Sequence, residues 1–102
     1  MKTYNVFVKW EWVYALSFTP YWVGEADSPL QAAQVAAIKF STENQPDEDM
    51  PPWVTEPSCF VRVKENVPGE ASRYFKVVGL YPRKDATPIQ AHEMYAEESH
   101  VD

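Results

Sequence analysis

YWVGEADSPLQAAQVAAIKF, residues 21–40, decides the fold class because it contains a strand, the exit from that strand and the start of a helix. Aromatic and β-branched residues open the stretch and favour a strand. Ser28 follows as a helix N-cap, with Pro29 at the first helical position, where its missing N–H costs nothing. Gln31 completes a capping box, since its side chain can reach back past the start of the helix.

From this start we predict a helix over residues 28–42, because the alanine-rich run has high helix propensity. Projected at about 100° per residue, one face is expected to pack on a sheet. Its members are Leu30, Ala33, Ala36, Ala37 and Phe40. Val35 and Ile38 point away from this face and need another cover. We expect Trp53 to fold back over them; the alternative is an exposed Trp53 that binds a partner.

Alternating hydrophobicity predicts four strands, at residues 4–14, about 18–26, 59–64 and 73–81. In the first strand the even-numbered side chains are apolar and are expected to face the core. The second is expected at an edge of the sheet, or to start after Pro20, because proline cannot donate to a ladder. Pro68-Gly69 is typical of a type II turn and separates the last two strands.

The predicted fold is α+β, with a four-stranded, mostly antiparallel sheet in β-β-α-β-β order and the helix packed on one face. Residues 1–90 are predicted to form a single domain, within which 43–58 is a proline-rich acidic loop. Residues 91–102 form an acidic C-terminal segment. The pattern leaves open whether this segment contains a short helix, capped near Thr87, or is a disordered tail.

Two segments hold most of the acidic residues. The net charge is −6, yet residues 43–56 contain five acids, 93–102 contain four, and neither contains Lys or Arg, so the rest carries +3. The nine basic residues are scattered, and we do not expect direct nucleic-acid binding. A modest patch is expected from Arg62, Lys64, Arg83 and Lys84.

Signals for catalysis, cofactors and metals are poor. Cys59 begins a strand without a cysteine-enzyme signature, and we expect it to be a small buried residue. His92 and His100 lack the i, i+4 spacing of a zinc helix, and three glycines leave no phosphate-cradling loop. We therefore predict no catalytic residue, no cofactor and no metal, and a protein that is not an enzyme. The single cysteine favours the cytoplasm, and no apolar run is long enough to suggest a membrane span.

Two surfaces are candidate partner-binding sites. The acidic loop carries apolar anchors of the kind found in recognition segments, namely Met50, Trp53 and Val54. The sheet face opposite the helix is expected to carry Phe7, Val13, Tyr74, Val78 and Leu80. Because one helix covers one face of a sheet, a second apolar face indicates self-association or a partner.

The strand and the following residues 25–33, EADSPLQAA, resemble the strand-to-helix corner of many small prokaryotic and phage domains. N-terminal domains of HicB-type antitoxins have a similar strand-to-helix corner. The rest of that family's pattern, including any DNA-binding segment, is absent from this sequence, so the resemblance implies no site residue.

The sequence thus predicts a small non-enzymatic protein-interaction or regulatory protein, bacterial or phage-like. We expect a homodimer formed through a sheet face, and a second, unidentified protein partner. One alternative is an acidic inhibitor that mimics nucleic acid. Another is a small-ligand binder or minor enzyme that uses the aromatic strand face near Trp10, Trp12 and Trp22.

Overall fold

The computed structural model describes residues 1–46, 50–80 and 89–96, which form five strands and one helix. In chain order these are β1 Lys2–Trp10, β2 Trp22–Ala26, α1 Pro29–Glu43, β3 Cys59–Glu65, β4 Arg73–Val78 and β5 Gln90–Ala96. The strands form one antiparallel sheet in the order β2-β1-β3-β4-β5, with α1 packed against it. The α+β prediction is confirmed, but the sheet has five strands in β-β-α-β-β-β order instead of four.

The helix begins as the sequence predicts. The hydroxyl of Ser28 accepts a hydrogen bond from the backbone N–H of Gln31 at 3.1 Å. The side-chain carbonyl of Gln31 accepts from the backbone N–H of Asp27 at 2.6 Å, one residue before the N-cap. These bonds satisfy donors around the first turn of the helix and fix the point where the chain leaves β2 for α1.

The core lies between α1 and the sheet. The helix contributes only small buried side chains, those of Ala32, Ala33, Ala36, Ala37 and Ser41. The sheet contributes larger ones, among them Tyr4, Val6, Val8, Trp10, Val61, Val63, Phe75 and Val77. The small helix residues therefore let α1 lie close to bulky strand residues. Leu30 was predicted on this face but is exposed, whereas Phe40 is half-buried and packs edge-on against Trp10 and Tyr21.

The strand ends differ from the predicted ones. β1 ends at Trp10, and Trp12 stays half-buried because its ring stacks on that of Trp10 with centroids 5.3 Å apart. Tyr14, predicted to face the core, is fully exposed. β2 begins after Pro20 and lies at a sheet edge, as predicted. Gly69 has a φ of 86°, which the predicted type II turn requires at its third position.

The C-terminal segment is where the fold prediction was wrong. Residues 90–96 are neither a helix nor a tail; they form β5, which pairs antiparallel with β4. Leu80 was predicted on the face opposite the helix, but it belongs to the core. Gly79 explains the difference, since its φ of 83° breaks the alternation after Val78 and turns the chain. Tyr81 lies outside the described residues.

Candidate functional site

The face of the sheet opposite α1 is covered by no helix or strand among the described residues. Side chains on a strand alternate between faces, so the residues between the core positions point to this side. Nine of them form the surface that we call the open face: Phe7, Lys9, Phe60, Arg62, Lys64, Tyr74, Lys76, His92 and Tyr95.

The strand register places aromatic and basic residues of the open face alternately. One row of Cα partners, from β1 to β5, is Lys9, Phe60, Lys76 and His92. The next row is Phe7, Arg62, Tyr74 and Tyr95. An aromatic ring therefore has a basic neighbour both along its own strand and on an adjacent strand, except where the two tyrosines meet.

A β-bulge brings Tyr95 to the open face. His92 and Tyr95 are three positions apart, which in a regular strand would place them on opposite faces. The register of β5 shifts between the partners of Tyr74 and Phe75. With this shift, the Tyr95 ring stacks on that of Tyr74, with centroids 4.5 Å apart.

Ring and cation contacts hold the open face together. The Lys9 ammonium lies 5.1 Å from the centroid of the Phe60 ring, and the Arg62 guanidinium lies 5.3 Å from that of Phe7. Both distances are within cation–π range. Tyr74 packs between Phe60 and Tyr95 and is only 8% exposed. Tyr74 is thus the floor of the cluster, and the rings around it are partly accessible.

Tyr95 is the most accessible of these rings, since the residue is 52% exposed. Phe7 and Phe60 are half-buried. The three rings therefore present apolar surface to solvent beside the basic side chains that they contact. Planar rings of this kind are suited to stacking against a flat ligand group.

The charges of the open face differ from those elsewhere in the protein. Away from this face, the described basic residues are each paired with a carboxylate: Lys2 with Glu65 at 3.7 Å, Lys39 with Glu43 at 3.6 Å and Arg73 with Glu93 at 2.6 Å. On the open face, Lys76 lies 3.7 Å from Glu11 at the margin. Lys9, Arg62 and Lys64 form no ion pair with any residue in the described ranges. The open face therefore keeps three basic groups that form no ion pair with a described carboxylate.

Two of these cations are held in place by neutral groups. Lys9 donates to the backbone carbonyls of Glu11 at 3.2 Å and Val13 at 2.7 Å. Burial lowers the pKa of Lys9, an effect that the nearby Glu11 carboxylate opposes. Arg62 donates from Nε to the hydroxyl of Ser72 at 2.8 Å. An anion that approached Lys9 would compensate part of its desolvation.

At one end of the open face, a groove separates Trp12 from Trp53. Its lining includes Glu11, Trp12, Trp53, Val54, Glu56 and Lys76. Trp53 is 78% exposed, and Val35 and Ile38 remain 40% and 42% exposed. The expectation that Trp53 covers these two helix residues is therefore wrong: Trp53 is exposed, and its binding of a partner stays a prediction.

The candidate residues predicted from the sequence fall into different places. Phe7 and Tyr74 lie on the open face, with Val78 half-buried on the same side of β4. Leu80 is in the core, and Val13 is exposed beyond the end of β1. Met50 and Val54 are half-buried in the loop. Lys9, Phe60, Lys76 and Tyr95 were not identified from the sequence.

The signal for three of these residues was present in the alternation. Lys9, Phe60 and Lys76 occupy the positions between core residues in strands that were themselves predicted. What the alternation does not give is the pairing of neighbouring strands, which makes one surface out of residues far apart in sequence. Arg83 and Lys84, also predicted in a basic patch, lie outside the described residues.

The other chemistry considered from the sequence has little support in the described parts of the chain. Cys59 is buried as predicted, and burial raises the pKa of its thiol to about 12. No group of three or more His, Cys, Asp or Glu residues suited to a metal ion occurs among the residues described. His100 lies outside them. Within the same ranges, none of the helices has the length and apolarity needed to cross a membrane.

No family model matches the chain, and no curated protein and no solved structure matches it either. The function proposed below therefore rests on the geometry of the described residues.

Proposed function

We propose that this protein is a non-enzymatic binding protein whose open face receives an anionic partner. The observation that supports the proposal is the contrast in charge pairing. Lys2, Lys39 and Arg73 each have a carboxylate partner, whereas Lys9 and Arg62 lie over aromatic rings with no carboxylate among the described residues. Complementary charge across an interface speeds association and selects the partner.

The homodimer expected from the sequence stays a prediction. A two-fold dimer formed through the open face places the same patch of both copies in contact. Lys9, Arg62 and Lys64 of one copy would then approach those of the other, and like charges brought together cost free energy. Light scattering coupled to size-exclusion chromatography tests the homodimer, and a strict monomer at high concentration rejects it.

The alternatives raised by the sequence have less support. The aromatic strand face near Trp10 is largely core: Trp10 is buried, and its indole N–H donates to the backbone carbonyl of Asn44 at 2.8 Å. A small-ligand site at Trp10 itself would have to open the core, whereas Trp12 lines the groove at the end of the open face. Mimicry of nucleic acid would depend on acids arrayed on a rigid surface, and Asp47, Glu48 and Asp49, named for that role, lie outside the described residues, so the described part of the chain gives mimicry no support. The open face is instead positive.

The experiment measures binding of two anionic probes that are not nucleic acids, fluorescein-labelled heparin and a labelled poly-glutamate peptide. We expect fluorescence anisotropy to detect binding of at least one probe at about 50 mM salt and to weaken steeply by about 200 mM. Arg62→Glu should reduce the affinity about tenfold or more, because it reverses an unpaired charge at the centre of the face.

Lys39→Glu is the matched control. Lys39 also lies over an aromatic ring, that of Tyr21 at 5.3 Å, but it is on α1 and is paired with Glu43. Both variants change the net charge by the same amount. Equal loss of binding in the two variants would overturn the proposal, since the effect would then come from net charge. So would the absence of binding to either of these probes and to any single-stranded oligonucleotide.

A further inference from the structure

We infer that the anionic partner is single-stranded nucleic acid, with unpaired bases stacked on the aromatic residues of the open face and phosphates held by its basic residues. The inference rests on the proposed function and specifies the chemistry of the ligand at the same site. Proteins that bind single strands combine a stacking surface with a positively charged path for the backbone. The open face has both components, in alternation.

Neither the rings nor the charges of the open face, taken alone, account for the whole surface. An acidic peptide would use Lys9, Arg62 and Lys64 but would leave the exposed ring of Tyr95 without a function. An apolar partner would use the rings but would bury three charges that lack a carboxylate partner within residues 1–46, 50–80 and 89–96, at a high desolvation cost. A nucleotide carries a planar base and an anionic phosphate in one unit, so it satisfies both.

The spacing of rings and cations along the strands matches that of bases and phosphates. Along β1 the pair is Phe7 and Lys9, and along β3 it is Phe60 and Arg62. Residues two apart on a strand are separated by about 7 Å. Each of these two phenylalanine rings therefore has a cation within reach of a phosphate attached to the nucleotide stacked on it. Lys9 and Arg62 each keep N–H donors for a phosphate besides those bonded to the Glu11 and Val13 carbonyls and the Ser72 hydroxyl.

The ring of Tyr95 is both accessible and restrained. Tyr95 stacks on Tyr74 with centroids 4.5 Å apart and is nevertheless 52% exposed. Tyr74 supports one side of the Tyr95 ring, which restrains the ring before any ligand binds. A restrained aromatic residue loses little conformational entropy on binding, which favours its use as a stacking platform.

The open face suits single strands better than duplexes. Bases in a duplex are already stacked on each other and paired, and a protein reads them by inserting a helix or ribbon into a groove. The open face is the surface of a five-stranded sheet, and α1 is on the other side. It can stack against bases only when they are unpaired. The net charge of −6 further disfavours polyphosphates anywhere except at this face.

The experiment uses the full chain with fluorescein-labelled dT12 and rU12 and with a labelled duplex of the same length. We expect binding of at least one single strand at about 50 mM salt, weaker binding of the duplex, and strong weakening of all binding by about 200 mM. Tyr95→Ala should reduce the affinity for the single strand by about tenfold, the loss typical of one stacked base, and Tyr95→Phe should retain it.

Tyr14→Ala is the control, since Tyr14 is a fully exposed tyrosine outside the open face and its removal should leave the affinity unchanged. Circular dichroism of each variant confirms that the sheet is intact. Equal effects of Tyr95→Ala and Tyr14→Ala would overturn the inference, as would equal affinity for duplex and single strand. Binding of heparin or poly-glutamate that is sensitive to Arg62→Glu, without binding of either oligonucleotide, would overturn the inference while leaving the proposed function in place.

Discussion

We predict that position 24 requires glycine because a larger side chain would clash with the ring of Trp22. The backbone conformation at this position does not itself require glycine. Gly24 pairs with Tyr4 in the edge ladder, and a Cβ built on it would lie 2.5 Å from Cζ2 and 2.8 Å from Cη2 of Trp22. Its φ is not positive, so alanine fits the backbone. Trp22 packs half-buried against the core and cannot turn away without losing that contact.

Two opposing effects set the magnitude. Overpacking a side chain against a packed neighbour costs about 1–3 kcal/mol. Replacing glycine by alanine in an accessible conformation recovers about 0.4–1 kcal/mol by restricting the unfolded chain. We therefore expect Gly24→Ala to lower the free energy of unfolding by about 1–2 kcal/mol, the overpacking cost net of this recovery. A domain of this size would lose about 4–8 °C in Tm per kcal/mol.

A double-mutant cycle with Trp22→Leu tests the cause. Leucine keeps apolar contact with the core but lacks the six-membered ring atoms that would clash. In that background Gly24→Ala should be neutral or stabilising by up to about 1 kcal/mol, which gives a coupling of about 2 kcal/mol. Urea unfolding followed by circular dichroism measures all four variants and avoids the change in tryptophan fluorescence. An equal cost of Gly24→Ala in both backgrounds would refute the role of the ring.

Three further predictions concern the cap, the thiol and an edge ion pair. Ser28→Ala removes the N-cap bond and should cost about 1 kcal/mol in urea unfolding, with Ser28→Asp close to wild type; an unchanged midpoint for the alanine variant contradicts the cap. At pH 8, Cys59 with a pKa of about 12 should react with a thiol reagent roughly a thousandfold more slowly than a free thiol until denaturant is added; rapid labelling of the native protein would show an accessible thiol. Glu93 accepts two hydrogen bonds from Arg73, which lower its pKa, so the pair stabilises the fold above the ordinary carboxyl pKa and loses this effect as the pH falls through the lowered value. Glu93→Gln should therefore cost about 0.5 kcal/mol at neutral pH and nothing in strong acid, and a difference that persists in strong acid contradicts the assignment.

The elements with strong local signals were predicted from the sequence. The capping residues around Ser28, the alanine face of α1 and the alternation of β1, β3 and β4 each reflect a local rule. β5 was missed because no such rule applies to it. Glu93 is a charged residue on the same side of the sheet as buried Phe75, where it forms an ion pair with Arg73. The bulge beside Tyr95 also interrupts the alternation of side chains between the two faces of β5. The proline near the start of this segment instead suggested a helix cap.

The candidate site depends on information that a single strand does not contain. β1, β3 and β4 each contain two basic residues and at least one aromatic residue, which predicts a mixed outer face and nothing more. The basic residues are scattered along the sequence, which led us to expect no nucleic-acid binding. The density of basic residues on a surface cannot be judged before the strands are paired. Pairing β1 with β3 and β3 with β4 places Lys9, Phe60 and Lys76 in one row.

The positions of the charged residues explain how an acidic protein can have a positive face. Net charge describes how a whole protein behaves in solution, whereas binding depends on the potential at one surface. Of the seven basic residues described, four lie on the open face, and only Lys76 there has a carboxylate partner among the described residues. Of the acids in the two acidic segments, Glu43 lies on α1 and Glu93 on the helix side of β5, while Asp47, Glu48, Asp49, Glu97, Glu98 and Asp102 lie outside the described residues. A chain with a net charge of −6 can therefore present a positive surface. Strand alternation and pairing decide which side chains share a face, and the net charge of the chain does not.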